Sequence, residues 1–130
     1  MTRDQFDAFC RSLPATTFVI QWGGSHVWKV GGKVFAISSE RNVSERNASA
    51  GNRAPSVTFK VSDIAYEMLK EQPGLRPAPY LASRGMKWIQ HFARPGLSDA
   101  KLRGYLRQSH AIVAQGLSRK RRIALGLETA

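Results

Sequence analysis

Apolar and polar positions follow two different rhythms along this chain. Near its start Phe6, Phe9, Cys10 and Leu13 recur at i, i+3, i+4 and i+7, the spacing of one helical face. Thr2 and Gln5 have capping-box spacing and Pro14 closes the segment, so a helix over 2–13 is predicted. Thr16 to Ile20 is β-branched and aromatic, which favours a strand. His26–Val30 and Lys33–Ile37 flank Gly31-Gly32, and two glycines supply the positive φ angles of a two-residue hairpin turn. That hairpin pairs Trp28 with Phe35 and Val30 with Lys33, which puts His26, Trp28, Phe35 and Ile37 on one core-facing side.

Alternation returns at Val57-Thr58-Phe59-Lys60-Val61, with Val57, Phe59 and Val61 inward. The polar, glycine-containing stretch between Ser39 and Ser56 is long for a loop, a length at which loops are commonly functional. Ser62 can cap a second helix through about Gln72, with Ala65, Met68 and Leu69 facing the core and Pro73-Gly74 stopping it. Pro77 and Pro79 make Leu75–Tyr80 an extended edge or a turn and not a central strand. Met86–Phe92 reads as a strand. Ser98 caps a third helix through about Gly116, with Leu102, Leu106, Ser109 and Val113 as its buried stripe and Arg103, Arg107 and His110 opposite. Arg119-Lys120-Arg121-Arg122 is expected in a frayed tail. The order α-β-β-β-β-α-β-α, with one further short edge strand allowed, predicts an α+β fold: an antiparallel sheet with helices packed on one face. No repeat or linker divides it, so a single domain over 1–118 is followed by a basic tail, 119–130.

Charge changes the picture most. The 130 residues carry 20 Lys and Arg against 9 Asp and Glu, a net charge of +11. Residues 1–65 are net +3 and residues 66–130 net +8, so a polyanion-facing surface should draw heavily on the second half. A single cysteine excludes an intrachain disulfide framework and a cysteine-cluster zinc site. No apolar run reaches the ~18–20 residues of a membrane helix, and Met1–Phe6 has no signal-peptide character. A cytoplasmic monomer without membrane attachment is expected.

Catalytic chemistry is hard to assemble. Cys10 falls on the apolar face of the first helix, where a small buried residue is the better reading. His26, His91 and His110 lack metal-ligand spacing. Asp63, Glu67 and Glu71 form an i, i+4 stripe of the kind that is usually a solvated helix face. Gly31-Gly32 is followed by neither Lys-Ser/Thr nor a helix, so it is no phosphate loop. No enzyme activity, cofactor or metal is expected. The basic and aromatic positions carry more. Arg84-Gly85-Met86-Lys87-Trp88 puts two cations and an indole together, with Arg76 just before; Lys29 and Lys60 project opposite the inferred core faces, and Lys33 begins the second hairpin strand. Cations near rings can hold phosphates while a ring stacks on a base. A buried Trp88 among merely solubilising charges is the equally weighted reading. Arg103 and Arg107 could extend a basic surface, but helix exteriors are commonly charged, and that is the favoured reading.

Several of these segments together resemble the MmcQ/YjbR family. The helix to Pro14, Val27-Trp28-Lys29-Val30-Gly31-Gly32-Lys33-Val34-Phe35-Ala36, Gln72-Pro73-Gly74-Leu75-Arg76-Pro77, Arg84–Ile89 and Leu97–Leu117 carry the resemblance, over roughly 2–118. It implies a frataxin/CyaY-like fold, sometimes described as a double-wing DNA-binding motif. Iron binding through an acidic helix is not carried over, because the first helix has only Asp4 and Asp7. Charge and resemblance together point to nucleic acid, duplex DNA first, held at phosphates with weak sequence preference. The expected contacts are Lys29, Lys33, Lys60, Arg76, Arg84, Lys87, Arg103 and Arg107. The alternative is an interaction module for an acidic protein partner. A third reading places a small-molecule groove at Tyr80, Trp88 and His91.

Overall fold

The computed structural model describes residues 1–39, 55–79, 85–93 and 95–129. In chain order its elements are α1 (Arg3–Ser12), β1 (Thr16–Gln21), β2 (Ser25–Val30), β3 (Lys33–Ser39), β4 (Ser56–Lys60), α2 (Asp63–Leu69), β5 (Leu75–Pro77), β6 (Trp88–His91), α3 (Asp99–Gln115) and α4 (Arg119–Ala124). The six strands form one antiparallel sheet in the order β1-β2-β3-β4-β6-β5. The expected α+β fold is therefore observed, and the proline-bearing segment supplies the short edge strand β5.

Local chemistry explains most element ends. Thr2 and Gln5 close the predicted capping box on α1, with bonds of 3.1 and 2.9 Å. Ser62 and Ser98 cap α2 and α3. Gly31 and Gly32 have φ of +59° and +81°, which a hairpin turn with both central residues left-handed requires. The register departs from the simple hairpin beyond that turn. Val30 does oppose Lys33, but Trp28 opposes Ala36, with Phe35 as the extra residue of a β-bulge. Phe35 stays in the core, where its ring meets His110 edge-on at 5.2 Å. Ile37, expected beside Trp28, instead opposes Val27 on the other side of the sheet.

One face of the sheet is the core face. Trp28, Val30, Val57, Phe59 and Ile89 pack there against Phe6 and Cys10 of α1, Leu69 of α2 and Leu102 and Leu106 of α3. The α3 stripe is as predicted, with one correction. His110 is buried rather than facing out with Arg103 and Arg107: its Nε2–H donates to the Pro14 carbonyl at 2.8 Å. A second correction concerns Met68, which is 61% exposed: the buried stripe of α2 is Ala65 and Leu69, one turn apart, and Met68 falls beside it. The basic run is not frayed either. Ser118 caps α4, Arg122 donates to the Gln115 and Leu117 carbonyls, and Glu128 pairs with Arg119 and Arg122.

Candidate functional site

Because successive strand residues point to opposite faces, the register sorts the candidate cations. Lys29 alternates with Trp28 and Val30, Lys60 with Phe59, and Arg76 with Leu75. These three therefore lie on the sheet's second face, away from the helices. That face is not bare: Val27, Thr58 and Trp88 are buried on it. Arg76 donates to Gln90 Oε1 at 2.8 Å and its guanidinium lies 4.2 Å from the Phe92 ring centroid. Lys87 points the other way, onto the Tyr66 ring of α2 at 4.7 Å. Arg103 and Arg107 are on the outer side of α3, where Arg107 lies 5.4 Å from the Phe9 ring centroid and Arg103 beside Asp99. Arg84 and Tyr80 lie outside the described residues, as does most of the polar 39–56 segment. The adjacency of Lys87 and Trp88 in sequence thus separates them in space. The proposed groove of Tyr80, Trp88 and His91 fails for the same reason, since positions 88 and 91 fall on opposite faces of β6.

The strands themselves open a cleft beside Trp88. The β3–β4 ladder runs from Ser39–Ser56 to Ala36–Phe59 and then stops. At that point the Ser109 hydroxyl of α3 takes over both backbones. It donates to the Phe35 carbonyl at 2.6 Å and accepts from Lys60 N–H at 2.9 Å. A buried backbone donor and acceptor left by diverging strands need such a substitute. One helical turn on, Val113 reaches the gap. It joins Val34, Ile37 and Met86 as the apolar lining of a cleft of about 400 Å³. Two indoles, Trp22 and Trp88, and two ammonium groups, Lys33 and Lys60, complete it. No acidic residue lines it, and neither lysine has a carboxylate partner among the described residues.

Trp22 was missed by sequence reasoning. It lies in the β1–β2 turn, 63% exposed, with φ of +54°. A bulky residue in the left-handed region is uncommon. The available signal was an indole immediately before Gly23-Gly24, where a small polar residue would suit the turn better. Trp88 is 5% exposed, so the buried reading holds for it, yet its Nε1–H has no hydrogen-bond acceptor among the described residues.

Other titratable groups serve the fold. Asp7 of α1 accepts from His26 Nδ1–H at 2.8 Å and from Trp28 Nε1–H at 2.9 Å, fastening α1 to β2. Burial, and then the Asp7 charge, push the Cys10 thiol up, so it stays protonated and unreactive. Among the described residues no group of three or more His, Cys, Asp or Glu could hold a metal ion, and no helix is long and apolar enough to cross a membrane.

The sequence matches the YjbR family model over residues 11–112. The chain belongs to the YjbR family. No curated protein matches it. Two solved structures share the fold. A Deinococcus radiodurans protein with a DUF419 domain is 20% identical, with a TM-score of 0.76 over 99% of this chain and 91% of the other. A Pseudomonas syringae protein is 18% identical, with a TM-score of 0.66 over 87% of this chain and 99% of the other. At these identities the likeness extends to the YjbR fold and not to residues of the cleft.

Proposed function

We propose that this YjbR-family protein is a non-catalytic nucleic-acid-binding protein that acts as a cytoplasmic monomer. It engages phosphates through the second face of its sheet, with duplex DNA as the first substrate to try. The observation that carries this reading is the grouping of Lys29, Lys33 and Lys60 on that face and its cleft rim, without carboxylate partners among the described residues. Cations with no internal ion pair keep their whole charge for a polyanion, and the net charge of +11 adds long-range attraction. Arg76 extends the face toward β5. Its contacts with Gln90 and Phe92 fix the guanidinium in place without neutralising it. Lys87, Arg103 and Arg107 are left out of the contact set, because their geometry engages them on the helix side. Phosphate contacts carry no sequence information, so weak sequence preference is expected.

The test is fluorescence anisotropy with labelled duplex DNA at several salt concentrations. For phosphate contacts on B-DNA, log K falls with log salt by about 0.9 per phosphate engaged. The double variant Lys33→Glu, Lys60→Glu should weaken binding and flatten that slope by about two, one for each cation removed. An unchanged slope would place the interface elsewhere; absence of binding to duplex and single strand alike at low salt would end the nucleic-acid reading.

One observation favours the alternative of a protein partner. β1 is an edge strand, Thr16-Thr17-Phe18-Val19-Ile20-Gln21, with no charge or proline and with Phe18 and Ile20 exposed. Such an edge is a template for a further strand, and an acidic extended peptide would suit the chain's charge. Stoichiometric recovery of one acidic protein from nuclease-treated lysate, abolished by Val19→Pro, would support that reading.

A further inference from the structure

We propose that the cleft between β3 and β4 receives one unpaired nucleobase of a bound strand. Trp22 stacks on the base, and Lys33 and Lys60 hold the phosphates on either side. This rests on the nucleic-acid reading above and specifies the form of strand the protein takes.

A surface that only tracks phosphates has no use for an apolar slot, and the cations here border one. The volume of about 400 Å³ is within the roughly 300–1,000 Å³ of small-ligand pockets. The lining is Val34, Ile37, Met86 and Val113 between two indoles, and its only charges are positive. That combination complements a flat aromatic ring carried on an anionic backbone, which is the makeup of a nucleotide within a strand. An aliphatic anion would leave the indoles unused. An intact duplex could not present a base to the cleft, because its bases are stacked and paired inside.

Two further observations support the assignment. Trp22 keeps a large side chain at φ +54° in an exposed turn, where left-handed backbone is costly for anything but glycine, asparagine or aspartate. Strain of this kind collects at ligand sites. The Trp88 Nε1–H is a buried donor without an acceptor among the described residues, and base edges are rich in acceptors.

The experiment compares three labelled ligands of equal length on the full chain at low salt: a mixed-sequence single strand, the same strand with every base removed, and a blunt duplex. The intact single strand should bind more tightly than the abasic strand by roughly 5- to 150-fold, the range of one base–aromatic stack. It should also outcompete the duplex. In Trp22→Ala the ratio of intact to abasic affinity should fall to near one. Met86→Glu, which puts a negative charge at an exposed position of the cleft lining, should lower the same ratio independently. Equal binding of all three ligands would overturn the base-holding cleft while leaving phosphate binding intact. A single-strand preference that survives both substitutions would also overturn it. No binding of any ligand would remove the nucleic-acid reading and this inference with it.

Discussion

The two faces of the sheet differ in how most of their cations are held, with Arg76 over the Phe92 ring the exception on the second face. On the helix side Arg11, Lys87 and Arg107 lie over the rings of Trp28, Tyr66 and Phe9, Lys70 pairs with Glu67, and Arg119 and Arg122 pair with Glu128. On the second face Lys29 and Lys60, and on the cleft rim Lys33, have neither ring nor carboxylate partner among the described residues. A cation bound inside the molecule contributes to packing and has little left for a ligand. A cation without a partner contributes little to the fold and offers its full charge outward. The difference gives net charge a location that composition alone lacks.

Ser109 is where the two faces meet, and it should give the largest effect. It belongs to the buried stripe of α3, yet its hydroxyl serves the backbones of β3 and β4 at the mouth of the cleft. Ser109→Ala leaves the Phe35 carbonyl and the Lys60 N–H without that partner in a buried position. The expected loss is about 1–3 kcal/mol in urea unfolding, the cost of an unsatisfied buried polar group. A loss below about 0.5 kcal/mol, typical of a surface change, would mean that the strands need no bridge and the cleft is held open by other contacts.

The helices, strands and turns were legible because each rests on local chemistry: the Thr2–Gln5 box, the Gly31-Gly32 turn, and the apolar spacing of α3. The inward set Val57, Phe59 and Val61 was legible for the same reason. What escaped depends on register. One extra residue at Phe35 moves Ile37 to the other face, and nothing in a run of alternating residues announces a bulge. His110 looks solvated on a helical wheel, but the Pro14 carbonyl that accepts its hydrogen bond is 96 positions away. The candidate site was half legible. Lys29 and Lys60 could be placed by alternation, whereas Lys87 beside Trp88 looked like a cluster because sequence proximity hides the change of face. Trp22, from the β1–β2 turn, and Val113, from α3, meet at the cleft only in the folded chain.

A pH titration sharpens the comparison at intermediate size. On the helix side His91 is packed so closely that a Cβ on Gly96 would lie 2.3 Å from its Nε2, which has no hydrogen-bond partner among the described residues. Burial, the leading cause, holds its imidazole below the ordinary value of 6.5. The unfolded chain therefore takes up the proton first. Stability should be constant above about pH 6.5 and decline as pH falls below it, through the lower folded pKa. The Lys70 hydrogen bond on Glu67 and the N-terminal ammonium on Asp99 hold those carboxyls below their usual range, so they do not titrate in this window. Melting temperatures between pH 7.5 and 5 should fall for the native sequence and flatten in His91→Gln. A decline of equal size in His91→Gln would assign the proton uptake to another group.

The smallest effects give the sharpest separation, because two single substitutions should fail in opposite assays. Arg107→Gln removes a guanidinium from the Phe9 ring and leaves the second face intact. Loss of one exposed cation–π contact should lower stability by about 0.5–1 kcal/mol. The salt slope of nucleic-acid binding should not change, since a charge on the far side of the molecule is screened beyond a Debye length of about 10 Å at 0.1 M. Lys33→Gln removes an exposed ammonium that has no carboxylate partner among the described residues. Stability should stay within about 0.5 kcal/mol, while the salt slope should fall by about one, the loss of a single phosphate contact. If both substitutions lower the slope equally, the polyanion responds to total charge and the two faces are equivalent to it. If only Lys33→Gln does, the partnerless cations are the interface, and a residue's internal contacts become the criterion for locating binding charge in a strongly basic domain.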